Sequence, residues 1–291
     1  MPEQARDAVP GLTGLYARAL AGAAVGPVLR RVPGARRRSE ALPDREASVS
    51  AVVAEREHVL HYQRVCGHPL SDTLPPAYIH LLAFPLAMEL MTDARFPFGV
   101  MGLVHVRNRI EHPRPVQVGE PLDLRVRAEG LRPHDRGTQF DVVAEATSGG
   151  TAVWRGRSTY LRREGGAGNA GRAAADTPPA PRAVWQVPGD AGRRYAAVSG
   201  DRNPIHLHAL TARLFGLPRP IAHGMWLKAR CLAALERALP PAFAVDVRFK
   251  LPLHLPGRVA FAEWASESGV AFAVHDARSG RPHLAGTVER A

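Results

Sequence analysis

Cysteine is nearly missing from this chain of 291 residues, with only Cys66 and Cys231 present. Two isolated thiols cannot build a disulfide framework or a zinc knuckle, and Cys231 falls in an apolar helical pattern where a thiol is ordinarily a small buried hydrophobe. Lysine is as scarce: Lys228 and Lys250 are the only two, so arginine carries nearly all of the net charge of +11. Apart from the cluster Arg36 to Arg38, those arginines are dispersed among acids, and no aromatic/basic repeat, Cys/His finger or recognition helix accompanies them. The cluster reads first as a solvated surface stretch; a phosphate-bearing thiol such as CoA or an acidic carrier protein would also gain from such a surface, and charge alone does not choose among them. Long apolar runs are also lacking. Ala77 to Met91 is interrupted by His80, Pro85 and Glu89, which excludes a membrane-spanning helix. The first residues, MPEQARDAVPG, hold acids and prolines where a secretory leader has a basic end and an apolar core, so the expected location is cytoplasmic.

What is present is organised in two similar halves. Residues 1 to about 45, dense in glycine and proline, predict an irregular or partly helical lead-in, with Leu12 to Leu20 as a short helix. Ala47 to Glu55 reads as a strand and Glu57 to Cys66 as a short helix. After Pro75-Pro76, AYIHLLAFPLAMELM is apolar on almost every face, a helix that must be buried, with Pro85 predicting a kink or a split. From Leu103 the period becomes two: VHVRNRI, PLDLRVRAEGL, TQFDVVAEATS and TAVWRGRSTYLRR alternate as antiparallel strands. A Gly/Ala/Pro-rich stretch, 163–183, reads as a linker.

The order then recurs in AVWQVP, a short lead to Gly200-Asp201, the small helix Leu207 to Phe215, the apolar helix GMWLKARCLAALERAL, and four more strands. Tyr62-x-x-x-Cys66-Gly67 parallels Tyr195-x-x-x-Ser199-Gly200, and Val104-x-Val106-Arg107 parallels Val245-x-Val247-Arg248, which supports a diverged duplication. The predicted organisation is a lead-in (1–45), a first domain (46–162), the linker (163–183) and a second domain (184–291). A helix apolar on most faces needs cover on most faces, and a curved antiparallel sheet around each helix supplies it. The expected fold class is α+β.

The second half contains the richest chemistry. Tyr195 to Trp226 gathers Asp201, His206 and His223 beside turn formers. The two blocks Ser199-Gly200-Asp201-x-Asn203-Pro204-Ile205-His206 and Pro220-Ile221-Ala222-His223-Gly224-Met225 resemble the MaoC-like acyl dehydratases, or (R)-specific enoyl-CoA hydratases, which have the hot-dog fold. The resemblance is strongest over residues 185–260 and implies a double hot-dog: two long apolar helices, each wrapped by a curved antiparallel sheet. The first half looks like the degenerate partner that widens the acyl tunnel, since His68 stands in the Asp201-like place and no Asn-Pro-x-His follows. One active site per chain is expected.

The resemblance implies reversible syn hydration of trans-2-enoyl thioesters to (R)-3-hydroxyacyl thioesters, on CoA or acyl carrier protein. Asp201 and His206 carry the acid–base chemistry, with Asp201 as principal base. The Gly224 amide, where the second apolar helix begins, matches the thioester-carbonyl donor. Ser199, Gly200, Asn203, Pro204 and His223 support the loop. No metal or separate cofactor is implied, and a homodimer is left open. A hot-dog thioesterase and a noncatalytic acyl-thioester-binding protein are the alternatives. One departure from the family pattern is His208, where many relatives have Asp.

Overall fold

The computed structural model describes residues 9–29, 41–163 and 180–290; the Arg36 to Arg38 cluster and most of the linker lie outside them. Helix α1 spans Leu12–Leu29, much longer than the short helix expected there. Its first turns bury Leu15, Tyr16 and Ala19 with Leu12 partly covered, one face at i, i+3, i+4, i+7. Gly14 lies on the other side, exposed, and a Cβ there would meet nothing. Docking of that face outweighs the low intrinsic propensity.

Strand β1 (Glu46–Val52) and helix α2 (Arg56–Cys66) follow, then α3 (Pro76–Met91). Helix α3 runs through Pro85 without splitting. Four strands come next: β2 (Leu103–His112), β3 (Leu122–His134), β4 (Gly137–Ser148) and β5 (Thr151–Arg163). The second half repeats this order with β6 (Ala183–Val187), α4 (Ala191–Ser199), a 3₁₀ turn (Pro204–His206), α5 (Ala209–Leu214), α6 (Gly224–Leu235), and strands β7 (Phe243–Phe249), β8 (Gly257–Ser266), β9 (Gly269–Asp276) and β10 (Pro282–Arg290).

All ten strands form one antiparallel sheet in the order β1-β3-β4-β5-β2-β7-β10-β9-β8-β6. The order reads the same from either end if each strand of one half is matched to its counterpart in the other. The midline is the β2–β7 pair, in register with Ile110 opposite Val245 and Asn108 opposite Val247. Alternation puts Val245 and Val247 fully inside and leaves Arg248 exposed between strands.

The expectation of two long helices, each wrapped by a curved antiparallel sheet, is corrected here. There is one open sheet with free edges at β1 and β6, not closed or strongly curled, and both helices pack against it. α6 is also short, ending at Leu235 before a 3₁₀ turn over Glu236–Ala238. The reason is that other helices provide much of the cover. α3 touches β1 to β5 on one side and α1 and α6 on others, while α6 leans on α2 and α3. An all-round apolar helix shows how much cover it needs and does not say from what.

The midline also holds a lysine amine. Lys228 of α6 is fully buried and donates to the Asn108 carbonyl at 3.0 Å, the Asn108 Oδ1 at 2.6 Å and the Val245 carbonyl at 3.4 Å. Burial holds its pKa well below the ordinary lysine value. Among the described residues most arginines on the sheet pair with acids: Arg107 with Asp246, Arg109 with Glu111 and Glu289, Arg127 with Glu129 and Glu145.

Candidate active site

α4 ends at Gly200, whose φ of 69° turns the chain sharply out of the helix. Asp201 follows at once. Its amide donates to Ser199 Oγ at 3.1 Å, and its Oδ1 accepts the Asn203 amide at 3.2 Å, an Asx turn. Asn203 Oδ1 in turn accepts the Ile205 amide at 3.4 Å, capping the short turn that Pro204 opens. His206 ends that turn with its side chain buried.

His206 Nδ1 lies 2.8 Å from the Ile221 carbonyl oxygen. A carbonyl can only accept, so Nδ1 carries the proton and the Nε2 lone pair is free. His223 immediately precedes α6 and points its Nε2 at the Asp201 carbonyl at 3.0 Å; its Nδ1 is buried without a partner. The two imidazoles stack with centroids 3.7 Å apart. One atom from each of Asp201, His206 and His223 falls within 4.8 Å of the others. The fold thus sets the Asp201 carboxylate beside both histidines. That span suits a cation, and equally a single water.

Gly224 is the first residue of α6, where helix amides have no preceding carbonyl to bond. A Cβ on it would stand 2.9 Å from the Phe249 ring, so glycine is what lets β7 close over the helix start. The loop before it is stitched down: Ile221 donates to the Ile205 carbonyl at 3.1 Å and Ala222 to the Leu253 carbonyl at 2.8 Å. His208 caps α5 without a side-chain hydrogen bond. His68, the first-half counterpart of Asp201, is instead bonded to Glu236 at 3.0 Å.

Four side chains not singled out from the sequence also face this acid. Tyr16 of α1 donates to Asp201 Oδ1 at 2.5 Å. His80 of α3 stacks on His105 of β2 at 6.3 Å, and His105 on Tyr160 of β5 at 4.8 Å; all three feel the Asp201 charge. A polar residue within the apolar α3 run was the available sign for His80. For Tyr16 it was the spacing of Leu12, Leu15, Tyr16 and Ala19.

Burial pushes the imidazoles down, His80 to about 4 and His105 and His223 to about 3, with His206 also below its ordinary value. Burial acts the other way on Asp201, raising it. Attraction to His223 and His206 and the bonds from Tyr16 and Asn203 outweigh that and hold it below the usual carboxylate range. Near neutral pH the site is thus a carboxylate beside neutral imidazoles, with the Tyr16 and Asn203 donors still in place.

Residues 172–285 match the model of the MaoC like domain. The 3-hydroxyacyl-thioester dehydratase X of Mycobacterium tuberculosis is 37% identical over 255 residues, covering 86% of this chain and 91% of that protein. The chain belongs to the MaoC-like dehydratase family. The crystal structure of HtdX from Mycobacterium tuberculosis overlays this MaoC-like chain with a TM-score of 0.77 at 35% identity, covering 85% of this chain and all (100%) of that one. The enoyl-CoA hydratase ChsH3 of the same organism is 30% identical over 153 residues, 50% of this chain and 53% of its own length. No described helix is long and apolar enough to cross a membrane.

Proposed function

We propose that this MaoC-like dehydratase interconverts trans-2-enoyl thioesters and (R)-3-hydroxyacyl thioesters by syn addition and removal of water, with Asp201 and His206 as the acid–base pair. The observation that carries this reading is the convergence of two proton acceptors, the Asp201 carboxylate and the free His206 Nε2. A water giving one O–H to each acceptor spans about 4.5 Å between them, within the 4.8 Å that bounds the cluster. In the forward direction the water oxygen bonds to C3 as its O–H breaks, the proton passing to the pair. The C2–C3 π electrons move toward the thioester oxygen, where the Gly224 amide at the start of α6 stabilises the developing charge. The proton then returns from the pair to C2 on the same face, and the atoms balance. Ser199, Gly200, Asn203 and Pro204 shape the loop, and His223 orients Asp201 through its backbone.

Residues 184–291 carry the chemistry in this reading, and residues 46–162 form the degenerate half that borders the acyl channel, joined by 163–183. The substrate is carried on CoA or acyl carrier protein, in the cytoplasm, with no metal in the step.

The test is product analysis with crotonyl-CoA and a longer trans-2-enoyl thioester on both carriers. An intact (R)-3-hydroxyacyl thioester is expected. Release of free thiol would reassign the site to hydrolysis, and no turnover at any chain length on either carrier would leave only acyl binding.

A further inference from the structure

We propose that Tyr16 is a positioning residue for Asp201: delivered by the amino-terminal helix, its hydroxyl occupies one carboxylate oxygen and leaves the other as the basic one. The inference rests on the acid–base role proposed for Asp201 above. Asp201 Oδ1 receives the Tyr16 hydroxyl at 2.5 Å and the Asn203 amide at 3.2 Å. Oδ2 is different. Its near neighbour is His223 Nε2 at 3.8 Å, beyond hydrogen-bonding distance and already directed at the Asp201 carbonyl. The two oxygens are therefore not equivalent, and the lone pairs free for a water are those of Oδ2.

The other ionisable groups around Asp201 do not do this. His80 from α3, His105 from β2, Tyr160 from β5, Tyr195 from α4, and His206 and His223 from the loops surround it. Among the described residues only Tyr16 brings a side-chain donor within hydrogen-bonding distance of its carboxylate. Burial, reinforced by Asp201, keeps the phenol protonated far past the ordinary tyrosine range, so it donates at every working pH.

The helix is seated for this purpose. Leu12 lies against Gly200, where a Cβ would come within 2.2 Å of Leu12 Cδ1, and Leu15 and Tyr16 join the core beside α3. The glycine that lets α4 end before Asp201 thus also admits the helix that holds Asp201.

The test compares the wild type, Asp201→Asn and Tyr16→Phe in the full chain, measuring kcat and KM against pH on a trans-2-enoyl-CoA. Tyr16→Phe keeps the buried ring and removes the O–H. Loss of a bond to a charged acceptor predicts a fall in kcat of roughly ten- to a hundredfold with KM little changed. The acid limb of kcat/KM moves to higher pH, because the carboxylate has lost a stabilising donor; a role confined to packing would leave that limb in place. Fluorotyrosine at position 16, a stronger donor of nearly the same shape, moves the limb the opposite way and serves if the phenylalanine variant is poorly folded. An active wild type and a dead Asp201→Asn, with the limb unmoved by both changes at Tyr16, would overturn this inference alone. An Asp201→Asn protein as active as the wild type would overturn the acid–base reading beneath it.

Discussion

Replacing Gly192 by alanine tests whether the placement of His206, rather than its mere presence, sets the rate. Gly192 lies in the first turn of α4, against the turn that carries His206. A Cβ there would stand 2.1 Å from the His206 carbonyl oxygen, 3.1 Å from its carbonyl carbon and 3.4 Å from Leu255 Cδ1. Carbon–oxygen contacts settle near 3.3 Å, so one backbone segment must retreat by roughly 1 Å. The obstacle is main chain, tied by the His206 amide to the Asn203 carbonyl at 3.0 Å and by Nδ1 to the Ile221 carbonyl at 2.8 Å, so no side-chain rotation relieves it. Two effects on stability compete: better helix propensity favours alanine by at most about 1 kcal/mol, while overpacking costs about 1–3 kcal/mol. The net is a modest loss, and the protein stays folded. Catalysis is more sensitive, since a misplacement of about 1 Å costs on the order of a hundredfold. Enoyl-thioester absorbance gives the rate, and a thermal melt run alongside gives the fold. Wild-type kcat in a folded Gly192→Ala protein would refute the claim that this turn is fixed against α4.

Asp201→Asn and His206→Gln should each lower kcat by about 10²- to 10⁴-fold with near-native melting; full activity in either, read in the same assay, removes that residue from the chemistry. The stability profile should slope with pH in a defined sense. His112 and His223 are buried and held to about 4 and about 3, below their unfolded value, so the unfolded chain takes up more protons as pH falls. Their contribution is complete above about pH 6.5 and is lost at about 1.4 kcal/mol per pH unit for each imidazole on acidification toward 4, which chemical denaturation across that range measures; flat stability would contradict their burial as neutral rings. Prolonged dialysis against a chelator should leave kcat unchanged, because the hydrogen bonds of the Asp201, His206 and His223 cluster suffice for water activation; loss of rate restored by a divalent cation would reverse that.

The strands from β2 onward were legible because alternation declares itself locally, and the paired segments within each half announced the repeat. Whether the sheet closes was not, since alternation says which face is buried and nothing about where edge strands end. Helix α1 was hidden by Gly14, Gly22, Gly26 and Pro27, and its order comes from docking that no local propensity reports. Pro85 pointed to a break that a buried, well-covered helix absorbs. The same division holds at the site. Asp201, His206, His223 and Gly224 occupy one stretch of chain and could be found together by eye. Tyr16, His80, His105 and Tyr160 arrive from four different elements, and only the packing of those elements brings them to one carboxylate.

The Lys228 contacts at the midline tie the half that holds the proposed acid–base pair to the other half. An excised fragment of residues 184–291 would keep every group assigned to water activation. It would nonetheless expose the open flank of β7 and strand a buried amine inside a core whose Asn108 acceptors had gone with the other fragment. Mutational freedom in the earlier repeat is therefore bounded by a neighbour's solvation, even where it takes no part in turnover.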